Sequence, residues 1–271
     1  MNRRSVLRTV FITAIFALLM SAHVFANTWG AQLTAKKSWS YINVNATDNT
    51  MLHKLVVPED AMVGFSGMEV YVSSYSGSIS TYGMSFSLLK TNYVPINYYG
   101  GSTTYVDATN PNSSSYIKLF ALKKGVYYIR VTNLDKYRLM VKYIPMKDQG
   151  GLTKKKATNL GRKKSMSTLF GAAETYSKTE WFKIKVTKPR KITLTVAAEG
   201  EAGYDIYLYG PKPYKKGVWI TSLYGGNSKT IKIGTGYYGS SKMKKLKKGK
   251  YYLKIVRKNY KTSGYCKVYW K

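Results

Sequence analysis

Cysteine, histidine and acid are all scarce in this sequence. The one cysteine, Cys266, excludes an intrachain disulfide, so the fold rests on packing rather than cross-links. Two histidines, His23 and His53, and one cysteine are too few for a His/Cys zinc cage, which takes three or four such ligands at set spacing. A Ser-His-Asp triad would have to use His53, and no G-x-S-x-G elbow supplies its serine. His53 sits in the apolar run MLHKLVV and reads as an ordinary strand histidine; Cys266 reads as a small buried hydrophobe. Glycoside hydrolysis takes two positioned carboxylates. The second half has only five acids, and Glu199 and Glu201 flank Gly200 in an expected hairpin turn. GTGYYG (234–239) lacks the Lys-Ser/Thr and following helix of a phosphate loop and reads as a turn. These absences argue against an enzyme, a metal and a cofactor.

Long apolar runs are missing too. The longest is confined to the first 26 residues, where Arg3, Arg4 and Arg8 precede Val10 to Met20 and Ala26 closes V-F-A. That pattern is a secretory signal peptide, too short to span a bilayer. Residues 1–26 are therefore expected to be removed, leaving an exported chain without a membrane span. It would be released or associated with the cell wall.

Cations are abundant. The chain has 44 Lys and Arg against 12 Asp and Glu, a net charge of +32. They are unevenly spread: residues 27–152 carry 12 against 7, and residues 153–271 carry 29 against 5. This asymmetry points to a polyanionic partner for the second half. Lysine dominates there, with only Arg162, Arg190 and Arg257 as arginines. Lysine is a hydrated point charge without the fork of arginine, which favours diffuse attraction over exact geometric recognition.

The most basic stretch, KMKKLKKGKYYLKIVRK (242–258), has a partner elsewhere. KLKKGKYYLKIVR (245–257) aligns with ALKKGVYYIRVTN (121–133) at an offset of 124, and CKVYW (266–270) with LMVKY (139–143) at 127. An internal repeat of this size predicts two similar domains, 27–151 and 152–271. The lysine-rich 152–164 is the expected linker and entry segment of the second domain. Tyr251, Leu253 and Ile255 alternate with Tyr252 and Lys254, which is a half-buried strand rather than a basic helical arm. WFKIKV, KITLTVA and YDIYLYG keep the same beat, with weaker counterparts in LHKLVVPEDA, GMEVYV and YGMSFSLLK. No helical period appears. Many short strands separated by turns predict an all-β chain of two antiparallel, jelly-roll-like β-sandwiches in tandem.

KKKATNLG, TEWFKIKVTKPRKITLTV, YDIYLYG, LKKGKYYLKIV and GYCKVYW together resemble the bacterial pre-peptidase C-terminal domain family. The shared pattern is A-x-x-L, D-W-F, D-x-Y-L-Y, G-x-Y-Y and a closing aromatic strand. It covers most of 153–271 and the last third of 27–147. The resemblance implies a sandwich attached to secreted proteins, often beside a protease, sometimes binding collagen or polysaccharide, with calcium held by acidic clusters in some members. Glu180 stands where the family usually has Asp, Asp205 fits its place, and the surrounding loops add no further carboxylates.

The chemistry left over is lysine and tyrosine. Trp181, Tyr207, Tyr209 and Tyr252 share the outward phase with Lys183, Lys185 and Lys254. Rings for stacking on sugars and ammonium groups for attracting anions suit an anionic polysaccharide, a wall teichoic acid or a glycosaminoglycan. Plain sheet surface is the competing reading, since tyrosine favours strands for packing alone. A protein-interaction or matrix-binding accessory module of a secreted protease system is the alternative function. No groove-reading motif points to sequence-specific nucleic acid.

Overall fold

The computed structural model describes residues 28–46, 50–96, 103–109, 117–174, 178–200, 202–234, 237–238, 241–242, 245–258 and 263–271. The expected signal segment, Glu201 and part of GTGYYG lie outside the described residues. The first half forms β1 (Thr28–Thr34), β2 (Ser40–Asn45), β3 (Thr50–Val57), β4 (Ala61–Val72), β5 (Ile79–Tyr82), β6 (Met84–Leu89), β7 (Thr104–Val106), β8 (Lys118–Leu122), β9 (Gly125–Thr132) and β10 (Lys136–Pro145). The second half forms β11 (Thr158–Asn159), β12 (Ser165–Phe170), β13 (Thr179–Val186), β14 (Ile192–Gly200), β15 (Tyr204–Tyr209), β16 (Val218–Leu223) and β17 (Ser228–Ile233). It continues with β18 (Tyr237–Tyr238), β19 (Ser241–Lys242), β20 (Gly249–Arg257) and β21 (Gly264–Trp270).

The strands build two sandwiches with one plan. In the first, the sheet β1-β3-β9-β6-β7 faces β2-β10-β4-β5; in the second, β11-β13-β20-β15-β16 faces β12-β21-β14-β17. Each opens on a parallel edge pair, β1 with β3 and β11 with β13, and the remaining pairs are antiparallel. β8 beside β4 takes the place of β17 beside β14, and the additions are β5, on the far end of β4 in the first sandwich, and the β18–β19 hairpin in the second. The chain is thus all-β, two sandwiches in tandem, and it crosses between them from Pro145 to Thr158.

Alternation explains the cores. Leu55 and Val57 of β3, Tyr127, Ile129 and Val131 of β9, and Leu139, Val141 and Tyr143 of β10 fill the first. Phe182, Ile184 and Val186 of β13, Tyr251, Leu253 and Ile255 of β20, and Cys266, Val268 and Trp270 of β21 fill the second. Each large apolar side chain buried this way contributes roughly 1.5–3 kcal/mol. Cys266 takes the place aligned with Leu139 and is fully buried, which pushes its thiol pKa well up. Arg257 continues the inward phase of β20. Its guanidinium donates to the carbonyls of Gly171 at 3.3 Å and Glu174 at 3.2 Å.

The two sandwiches touch through Met62 and Ala121 of the first and Leu169 of the second. Strand β8 lies at this joint. Ala121 N–H donates to Ser263 Oγ at 2.9 Å, and Ala121 C=O accepts from Ala172 N at 2.7 Å.

Candidate functional site

Threonine, lysine and aromatic residues alternate with apolar ones along β13, β20 and β15, so one face of their sheet is apolar and buried and the other carries rings and ammonium groups. Register sets which residues meet across the outer face. Trp181 opposes Lys254, which opposes Tyr207. One step along, Lys183 opposes Tyr252, which opposes Tyr209; beyond that Lys185 opposes Lys250. All seven residues expected from the sequence therefore stand on this one face.

The rings gather. Trp181 and Tyr209 lie with centroids 5.3 Å apart at 46°. Lys254 Nζ sits 5.6 Å from the Trp181 centroid. Lys154 Nζ sits over two rings at once, 5.2 Å from Tyr209 and 5.1 Å from Tyr252. Trp181 Nε1 donates to Thr179 Oγ1 at 3.1 Å, which holds the indole against the sheet. An ammonium over a ring face is worth about 0.5–1 kcal/mol at an exposed site, so these lysines are placed without being locked.

Four participants are absent from the sequence reading. Lys154 belongs to the linker, and only the folded chain lays it over the rings. Trp219, 43% exposed, comes from β16 and stands opposite Tyr207. Strict alternation back from buried Leu223 and Thr221 would send Trp219 inward. A bulge between the pairs at Ile206 and Tyr207 turns it outward instead. Its Nε1 donates to Ser222 Oγ at 3.2 Å and reaches Asp205 Oδ1 at 3.4 Å. Lys258 and Tyr224 close this end. Lys258 Nζ donates to Tyr224 OH at 3.2 Å and stands 3.8 Å from Asp205, and these contacts raise its pKa.

The two carboxylates singled out for calcium do not converge. Asp205 is on the outer face, hydrogen-bonded by Ser222. Glu180 points inward and is fully buried, with its Oε1 2.9 Å from Lys178 Nζ. That ammonium also meets Glu174 Oε1 at 3.0 Å and Asp148 Oδ2 at 3.3 Å and donates to Leu169 C=O at 2.8 Å. The acidic cluster thus already holds a cation of the chain itself. Among the described residues no group of three or more His, Cys, Asp or Glu side chains is arranged to hold a metal ion.

No protein-family model and no curated protein matches the chain. Among solved structures, it is similar to the pre-peptidase C-terminal domain of a collagenase from Bacillus anthracis. The identity is 16%, over 42% of this chain and 93% of that one, with a TM-score of 0.32. It is also similar to PliG of Salmonella Typhimurium, a periplasmic inhibitor of g-type lysozyme: 16%, 42% and 97%, TM-score 0.27. A third is the CBM22-1–CBM22-2 tandem of Xyn10C from Paenibacillus barcinonensis: 10%, 80% and 82%, TM-score 0.23. At these values the fold rests on the strand order above, and no ligand or activity passes from those proteins to this chain.

Proposed function

We propose that this is an exported, non-catalytic binding protein that holds an anionic cell-surface or extracellular polymer on the outer face of β13, β20 and β15. The observation that supports it is the gathering of Trp181, Tyr207, Tyr209 and Tyr252 with Lys183, Lys185 and Lys254 on one sheet face, joined by Lys154. Lysine contacts to the polymer release counterions, and the rings supply surface for stacking. Lys154 is exposed on a flexible stem, so an anionic group can draw it off Tyr209 and Tyr252 and open both ring faces to a sugar. Among the described residues no helix is long and apolar enough to cross a membrane.

Binding to purified teichoic acid and to a sulfated glycosaminoglycan, measured at low and at physiological salt, tests this. Affinity is expected to fall steeply with salt, as it does for polyanions generally, because screening and counterion release both weaken it. Replacing Lys183, Lys185 and Lys254 together by Gln is expected to lower it at least tenfold at low salt. Salt-independent binding, or full affinity in the triple variant, would remove the proposal.

A protein-binding role is the second reading. It is favoured by exposed tyrosines on the first sandwich, Tyr41, Tyr71 and Tyr82 on β2, β4 and β5. Tyrosine is enriched at protein interfaces, and the first half of the chain as a whole is far less basic than the second.

A further inference from the structure

Two of the three arginines of the second half meet in one groove. It holds about 190 Å³ at the end of the second sandwich, and Arg162, Arg190 and Lys185 line it together with Asn159, Thr187 and Trp270. That is smaller than the roughly 300–1,000 Å³ of sites that enclose a drug-sized molecule, and it matches a small ionic group. We propose that the groove is a site for a tetrahedral oxyanion, a phosphate or sulfate group, adjoining the ring-bearing face and sharing Lys185 with it.

Among the described residues the cations of the groove have no carboxylate counterion. The four acids of the second half within the described residues are Glu174, Glu180, Glu199 and Asp205, and none lines the groove. Among the described residues no carboxylate ion-pairs with Arg162, Lys185 or Arg190. Three like charges around one small space repel one another, and a bound anion reverses that term. Arg190 Nε is buried and has no hydrogen-bond partner among the described residues, so it does not open into the groove, and the guanidinium can offer an anion only its outer nitrogens. The guanidinium fork suits two oxygens of a phosphate or sulfate, and Lys185 suits a third. Asn159 and Thr187 supply neutral donors beside them.

The backbone that carries these groups is fixed before any ligand arrives. Trp270 Nε1 donates to Leu160 C=O at 2.8 Å, Leu160 N to Lys183 C=O at 2.8 Å, and Lys163 N to Trp270 C=O at 2.8 Å. These bonds tie the segment bearing Arg162 to β13 and β21. Arg190 is held by paired main-chain bonds with Leu246 at 3.0 and 2.9 Å. Preorganisation of this kind lowers the cost of binding. Lys185 belongs to both the groove and the ring-bearing face, so a polymer lying on that face can place a phosphodiester or sulfate ester in the groove. A free ion of the same chemistry needs no polymer.

The test titrates the full chain with sodium sulfate and with sodium phosphate at constant ionic strength, replacing sodium chloride, and follows the indole N–H resonances. Saturable movement of the Trp270 signal is expected, with those of Trp181 and Trp219 unmoved. Arg162→Ala and Arg190→Ala are each expected to weaken the site about tenfold. Arg162 is exposed, so its variant decides the matter should Arg190→Ala lose its fold. A response that does not saturate, one that survives both substitutions, or acetate binding as well as sulfate would overturn the assignment. A polymer carrying phosphate but losing affinity in the Arg162→Ala variant identifies a chain-borne ester as a source; unchanged polymer affinity with lost sulfate binding identifies the free ion. Lys254→Gln with Tyr252→Ala is expected to weaken polymer binding and spare the sulfate response, so the groove and the ring-bearing face fail separately.

Discussion

Lys178 has nine-tenths of its side chain buried, yet it stays charged because carboxylates surround it. Burial alone pulls its pKa down, and Glu180, Glu174 and Asp148 together more than reverse that and raise it. Burial raises the pKa of Glu180, and the ammonium opposes it only in part. Removing the cation leaves a fully buried carboxylate exposed to no water. Lys178→Met is therefore expected to cost about 3–5 kcal/mol in urea unfolding. Adding Glu180→Gln is expected to restore a large share, because the orphaned charge goes with it. A loss below about 1 kcal/mol in the single variant would mean the cluster does not hold the fold. His53 carries the second residue-scale expectation. Its ring is buried, with Nε2 2.6 Å from Tyr137 OH, and burial lowers its pKa to about 4. Unfolded, the ring protonates near 6.5 while the folded ring does not, so stability falls as pH drops from about 6.5 to about 4 and levels off below. The loss is on the order of 3 kcal/mol. His53→Leu is expected to flatten that part of the curve, read by denaturant unfolding at pH 7, 5.5 and 4. The inward phase of Glu180 was legible from its parity with Phe182. The sharing of Lys178 with Asp148 was not, because thirty residues of chain and a domain joint separate Asp148 from Lys178.

Strands were the most legible feature, because a period of two needs only local sequence. WFKIKV, YDIYLY and YYLKIV state both their element and their faces, and the seven outward residues followed from parity alone. What parity cannot show is a place where it breaks. The bulge in β16 reverses the phase of Trp219, and it depends on how β16 meets β15 rather than on β16 itself. Edge strands are equally silent. β8 reads as an ordinary strand, but its outer edge is paired by the other sandwich through Ser263 and Ala172, which removes an exposed edge. The Ala121 amide is thus expected to be among the protected ones in hydrogen exchange. Ser263→Ala is expected to speed its exchange and lower stability by about 1–3 kcal/mol, since the donor stays buried without an acceptor. Unchanged exchange at Ala121 would show that the bond contributes nothing. Gly200 ends β14 at φ +84°, and an added Cβ would stand 2.9 Å from Ser263 O and 3.0 Å from Met62 Cε. Gly200→Ala is expected to destabilise by roughly 1–3 kcal/mol, through backbone strain and by pushing on the same joint.

For the whole molecule, the repeat extends further than the matching residues did. Sequence similarity reached only the last third of the first half, yet both sandwiches share one strand order. Core positions ask only for apolar volume, so Phe65 in one and Val196 in the other satisfy the same plan and erase the resemblance. The charge asymmetry does survive in sequence, and it is the reason the proposed polyanion is placed on the second sandwich. Asp148 joins the two. It pairs with Lys123 of the first, and it accepts from Thr168 Oγ1 at 2.7 Å and Leu169 N at 3.0 Å in the second. Burial raises its pKa, but the bonds from Lys123, Thr168 and Leu169 N and the Lys178 charge outweigh that and lower it. Its contribution is thus present above its ordinary value near 3.8 and is lost as pH falls through the lower folded value. Asp148→Asn is expected to cost about 2 kcal/mol at pH 7 and to lower the melting temperature by roughly 4–8 °C. Scanning calorimetry is expected to show one transition in the parent chain and a broadened or split one in the variant, as the sandwiches lose their shared tie. Acidification through the lowered folded pKa of Asp148 protonates it and makes the parent resemble the variant, so the two curves should converge at the acid end of the range. Curves that stay parallel down to low pH would place the coupling in the apolar contact of Met62, Ala121 and Leu169 instead.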